Sequence, residues 1–236
     1  MNRSRIVTGR TILGVTVLIA AAVILSMNVS LAAAPGQMPA QGQAPAQGRG
    51  PAAAPPPVGP VTLEVAPGTR ASYKVTEQFV GINFPSDAVG ATETVTGTLY
   101  LNADGAIDSA RSKLMIDLRT LKSDQDMRDN YLRTRTFDIE KSPMIEFVPK
   151  RIQGVPSPLP VQGQAGFQLT GDMTVKGTTS EVTWNGIATF APAQVAGRAS
   201  TNFDFAKFGL AKPAIGRLMS VDDKIVLELE FRLKRS

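Results

Sequence analysis

The side chains that carry most enzymatic chemistry are missing here, because the chain contains no Cys and no His. That removes disulfides, Cys/His zinc sites, His-ligated haem, thiol nucleophiles and any Ser-His-Asp triad. Carboxylates and a Ser-Lys pair remain. The acids to consider are Asp124, Asp126 and Asp129, with Arg128 beside the last, and the adjacent pair Asp222-Asp223. Two acids converging in a pocket would suit a hydrolase or isomerase, with Asp129 as the residue to replace in testing it. An adjacent acid pair lacks the oxygen-rich spacing of a calcium loop, so Asp222-Asp223 reads as a turn. Arg128-Asp129 reads as structural, with Arg128 paired to an acid and Asp129 accepting backbone or hydroxyl hydrogen bonds. Asp124, Asp126 and Asp129 together read as a solvated helix start. There is no P-loop, no GxSxG elbow and no GxGxxG after a strand. No catalytic residue, metal ligand or cofactor is assigned.

The formal charge of +5 invites a nucleic-acid reading, and its distribution argues against one. Arg3, Arg5, Arg10 and Arg49 precede residue 61, where no acid occurs, which leaves 21 bases against 20 acids in the remainder. A near-neutral domain lacks the basic footprint of a phosphate-backbone binder.

The elements that position these residues begin after two N-terminal zones. Residues 1–32 read as a signal peptide or signal anchor. Arg3, Arg5 and Arg10 form a positive head, residues 11–31 are almost unbroken apolar, and Ser30 and Ala32 occupy the −3 and −1 positions of a cleavage site. If uncleaved, residues 11–31 are long enough to tether the protein to a membrane. Either way the remainder is expected outside the cytoplasm, in the periplasm or secreted. Residues 33–60 are rich in Pro, Gln, Ala and Gly with one charge. Such a segment buries too little surface to offset its ordering entropy, so it reads as a disordered linker, either a spacer or an unstructured leader.

Residues 61–236 alternate with period two, the signature of half-buried strands. The final run is the clearest, with Ile225, Leu227, Leu229, Phe231 and Leu233 set against Val226, Glu228, Glu230 and Arg232. Turns are expected at Asn102-Ala103-Asp104-Gly105, at Lys176-Gly177-Thr178-Thr179 and at Val195-Ala196-Gly197. One helix is expected, capped at Ser123 with an acid three residues on. Met127, Tyr131 and Leu132 would share a face, and the helix would end before Phe137. The pattern is that of an all-β antiparallel barrel or sandwich.

Four segments of this domain resemble the YceI-like family, in the family's order. The first is Ser123 to Phe147, with Arg128-Asp129, Leu132, Phe137, Pro143 and Phe147. The second is Leu169 to Trp184, with Gly171, Met173, Val175, Gly177 and Thr179. The third is Phe205 to Leu210, and the fourth is Val221 to Ile225. The resemblance implies an eight-stranded, lipocalin-like antiparallel barrel with one short helix, exported to the periplasm or secreted. It also implies a long apolar ligand of the polyisoprenoid or fatty-acyl type. The sequence departs from the family at Ser72-Tyr73-Lys74-Val75, where relatives often carry His, so haem or metal association does not carry over. The stretch from Phe79 to Val95 also differs and is expected to shape another mouth.

An eight-stranded barrel is just wide enough to be filled by its side chains or to hold one slender ligand. The inward positions expected to line such a hollow are Phe79, Leu99, Leu114, Ile116, Phe137, Ile145 and Phe147, continuing with Phe167, Leu169, Trp184, Phe203, Phe205, Leu227 and Leu229. Ten buried CH2-sized groups of a lipid tail would contribute about 8 kcal/mol before ordering costs. The same residues could equally be close-packed core. Three readings therefore stand: a non-catalytic lipid carrier, a structural or stress-response envelope protein with a filled barrel, and a carboxylate enzyme.

Overall fold

The computed structural model describes residues 59–214 and 218–236; the expected signal segment, with its membrane tether, and nearly all of the linker lie outside them. The strands are β1 (Val61–Val65), β2 (Arg70–Phe79), β3 (Ser86–Thr92), β4 (Val95–Leu101), β5 (Lys113–Asp117), β6 (Lys122–Ser123), β7 (Met144–Gln153), β8 (Gly163–Val175), β9 (Thr178–Ala191), β10 (Gln194–Asp204) and β11 (Leu218–Arg235). A helix α1 (Asp126–Tyr131) lies between β6 and β7 and runs on as a π-helical turn, Leu132–Phe137.

These segments form a closed antiparallel barrel of eight staves. The first three staves are each broken in two. β1 and β2 both pair with β11, β4 and β3 continue alongside them, and β5 and β6 follow in turn. β7 to β11 supply the other five, and closure comes from Leu63, Glu64 and Val65 pairing with Arg235, Lys234 and Leu233. Breaking a stave lets it bend around the barrel while its inward face stays inward. The first break is held by Thr69, whose hydroxyl donates to Ala66 O and accepts from Arg232 N–H.

Alternation places one face of each stave inside. Along β8, Met173 and Val175 are almost fully buried while Gln164 and Gln168 face out. Edge-to-face aromatic pairs fill one end of the barrel, with Phe147 against Trp184 at 6.3 Å and Phe167 against Phe231 at 5.9 Å.

Several local expectations are corrected. Val195, Ala196 and Gly197 are not a turn but part of β10; the chain reverses at Pro192-Ala193. Gly197 is required by close approach, since a Cβ there would lie 2.0 Å from Ile187 O. Asp222 and Asp223 are not a turn into the last strand. That strand already runs from Leu218, and the two acids sit in a bulge between Val221 and Ile225. Asp223 pairs with Lys212 at 2.6 Å. The turns at Asn102–Gly105 and Lys176-Gly177 are where the sequence places them.

The helix also differs in detail. Its N-cap is Gln125, without a side-chain cap, and Ser123 belongs to β6. Helical winding does not stop before Phe137 but carries through it, ending at Asp138 in the left-handed region (φ 52°). Asp129 is not solvated: it is buried and accepts from the Ser123 N–H at 2.9 Å and the Ser123 hydroxyl at 2.7 Å. Met127 is largely exposed and Leu132 is buried.

Candidate functional site: two chambers along the barrel axis

The barrel interior is divided into two chambers that share Ile145 as a wall. The lower one lies at the end where β1 begins and β11 finishes. Its volume is about 90 Å³ and, apart from Thr69, its lining is apolar. Leu99, Leu114, Ile116 and Phe147 line one side, and Phe167, Leu169, Trp184 and Leu229 line the other. The connection from β7 to β8 closes its floor with Val155 and Leu159. Arg235 ties that connection down by donating to Leu159 O at 3.1 Å and to Pro160 O.

The upper chamber is larger, at about 420 Å³, within the range of small-molecule sites. Phe79, Phe137, Phe203, Phe205 and Leu227 line it together with Ile145. All fourteen residues expected from the sequence to face the hollow therefore line one chamber or the other. Many of them, including Leu114, Ile116, Phe137, Phe167, Leu169, Leu227 and Leu229, are only partly buried although they point inward. Phe205 reaches the chamber from a 3-10 turn just beyond β10 rather than from the strand itself.

Sequence reasoning missed the polar part of the upper chamber. Tyr73, Glu77, Gln125, Arg128 and Thr136 line it. Tyr73 lies flat across β3 because its cross-strand partner is Gly90, where a Cβ would come within 2.4 Å of the ring. Glu77 is buried and accepts from the Arg128 guanidinium at 2.5 Å; Arg128 also bonds Asp124. Burial pulls the Arg128 pKa down, but its bonds to Asp124 and the charge of Glu77 more than offset this, and the net shift is upward. Burial pushes the Tyr73 phenol up to about 12, with the charge of Arg128 opposing and that of Asp129 adding to the rise. Among the described residues, the buried Thr136 hydroxyl has no hydrogen-bond partner, and the Tyr73 hydroxyl lies beside the Ser123 hydroxyl. Only Arg128-Asp129 signalled this cluster in the sequence; Glu77 lies 51 residues away from Arg128.

Exposed apolar side chains continue from the lining to the surface. Phe79, Leu218 and Met127 line the chamber, and Val80, Ile82, Phe84 and Met219, which follow Phe79 or Leu218 in the chain, are exposed. No group of three or more acids able to hold a metal ion occurs among the described residues.

A family model described as the YceI-like domain matches residues 67–233. Among solved structures, a polyisoprenoid binding domain from Saccharophagus degradans, implicated in plant cell wall breakdown, superposes with a TM-score of 0.56 at 9% identity, covering 73% of this chain and 97% of that one. BcnA of Burkholderia cenocepacia superposes with a TM-score of 0.51 at 17% identity, covering 71% of this chain and 98% of that one. No curated protein matches. At such identities the structural likeness carries the fold.

Proposed function

The chain belongs to the YceI-like family, and we propose that it is an exported, non-catalytic protein that holds a long apolar lipid, of the polyisoprenoid or fatty-acyl type, inside its barrel. One observation carries this reading: an upper chamber of about 420 Å³ whose walls are mostly inward-facing apolar side chains. Water in such a space finds few partners, and a hydrocarbon chain gains about 0.8 kcal/mol per buried CH2. The similarity to a polyisoprenoid binding domain supports the same class of ligand.

A filled envelope protein would show close-packed side chains along the whole axis, and the upper chamber weighs against that. Catalysis by paired carboxylates would need two acids free to exchange protons. In the chamber the lining acid Glu77 is bound to Arg128, and Asp129 behind it accepts from Ser123. Export rests on the N-terminal reading: a basic head, an apolar run and a small-residue cleavage site.

Native mass spectrometry of the protein purified from its host, followed by organic extraction, tests the ligand. A bound apolar lipid is expected. A clean apo mass, with no uptake of isoprenoids or fatty acids, would overturn the carrier reading. Cell fractionation with N-terminal sequencing tests export, and a cytoplasmic protein retaining Met1 would refute it.

A further inference from the structure

The polar residues of the upper chamber specify the head of the ligand, an inference that rests on the lipid-binding reading and deepens it. We propose that this cluster is a head-group subsite for a neutral, oxygen-bearing head (a hydroxyl or carbonyl), and that it rejects a phosphate or diphosphate.

Two buried hydroxyls line the chamber there. The Thr136 side chain is almost wholly buried, lines the chamber, and its hydroxyl makes no hydrogen bond among the described residues. The Tyr73 hydroxyl is buried and lies beside the Ser123 hydroxyl. The nearby Ser123 hydroxyl is committed to Asp129. A buried hydroxyl left unsatisfied costs about 1–3 kcal/mol, so Thr136 points to a molecule that supplies its partner, with the Tyr73 hydroxyl on the wall of the same chamber. Tyr73 keeps its proton throughout the physiological range, because burial raises its pKa to about 12. It can therefore donate to a ligand oxygen. Thr136 can donate or accept.

Charge decides what kind of oxygen. Among the described residues, the one cation lining the chamber, Arg128, is held by two carboxylates, Glu77 and Asp124. Asp129 lies just behind them. Formally the cluster carries one positive and three negative charges. The cations close by are turned to backbone carbonyls, Arg133 to Leu121 O and Lys176 to Arg135 O and Thr136 O. An anionic head would enter a negative, desolvated surround in which, among the described residues, the lining guanidinium is already held by two carboxylates.

The test compares three probes with similar tails on the full chain: geranylgeraniol, geranylgeranyl diphosphate and the headless hydrocarbon phytane. Affinities come from competition against a fluorescent lipid. Geranylgeraniol is expected to bind at least about tenfold more tightly than the diphosphate. Tyr73→Phe should weaken geranylgeraniol roughly three- to tenfold, the worth of one hydrogen bond, and leave phytane unchanged. Thr136→Val should do the same by a separate route, which protects the test if Tyr73→Phe folds poorly. Asp124→Asn, at an exposed position, should release part of Arg128 and improve diphosphate binding several-fold relative to geranylgeraniol. Diphosphate binding equal to or tighter than that of the alcohol overturns the proposal. So does equal weakening of alcohol and phytane by both hydroxyl deletions. If phytane and alcohol bind alike and neither variant discriminates, the head subsite fails while the carrier reading stands. If none of the three binds, both fail.

Discussion

The two chambers arise from one pattern, period-two alternation along the same eight staves, yet they differ almost fivefold in volume, about 90 Å³ against about 420 Å³. The ends make the difference. Below, the β7–β8 connection inserts Val155 and Leu159, and two edge-to-face aromatic pairs take up the width of the barrel. Above, helix α1 and its π-helical extension stand over the opening and bring charged and polar side chains to it. Alternation decides which side chains point inward, and the closures decide whether they meet. On the function proposed above, the lower chamber is a stability element and the upper one a binding element.

The largest effect expected from that division is on Trp184. Truncating a buried aromatic costs about 3–5 kcal/mol, so Trp184→Ala should lower the urea midpoint severely. Phe137, half-buried and facing the upper hollow, already lacks neighbours on one side. Phe137→Ala should cost under about 1.5 kcal/mol while weakening lipid uptake. Equal losses of stability from the two variants would dissolve the distinction between the chambers.

Next comes the ion pair on the upper wall. Arg128→Ala leaves Glu77 buried without its partner. Because the pair borders a hollow rather than a dry core, about 3 kcal/mol is expected, the lower end for a broken buried pair. The double replacement of Arg128 and Glu77 by Leu should cost less than Arg128→Ala alone. A single variant with unchanged stability would show that solvent in the chamber screens the pair.

Much of this architecture is legible in the residues. β11 reads directly from Ile225, Leu227, Leu229, Phe231 and Leu233, because a half-buried strand obeys a local rule. The Lys176-Gly177 turn is equally local. What is long-range is not legible. The stave breaks near Thr69 and Leu118 come from curvature of the whole barrel, and Gly197 resembles a turn residue until Ile187 is seen against it. The Arg128–Glu77 pair joins a helix to a strand 51 residues earlier. The emptiness above Ile145 is a property of volumes summed over many staves, which no spacing encodes.

Ile145, shared by both chambers, sharpens the comparison further. Ile145→Trp should overpack the waist at a cost of about 1–3 kcal/mol and thicken the wall that a long tail would have to pass. Affinity should then stop rising with tail length at a shorter chain than in the wild type, as read from a series of fatty alcohols. An unchanged length dependence would mean that ligands occupy the upper chamber alone.

The smallest effect concerns Tyr73 and alkaline pH. Its folded pKa of about 12 lies above the ordinary value of 10.0, so the folded state holds this proton more tightly than the unfolded chain. Stability from this source is complete below the unfolded pKa and is lost as pH rises through the folded one. By linkage the loss reaches about 0.8 kcal/mol at roughly pH 10.5. Urea midpoints for wild type and Tyr73→Phe, taken from neutral pH to that value, should diverge, with the variant losing less. Parallel curves would place the Tyr73 hydroxyl in water, and the wall of the upper chamber would then be wetter than its geometry implies.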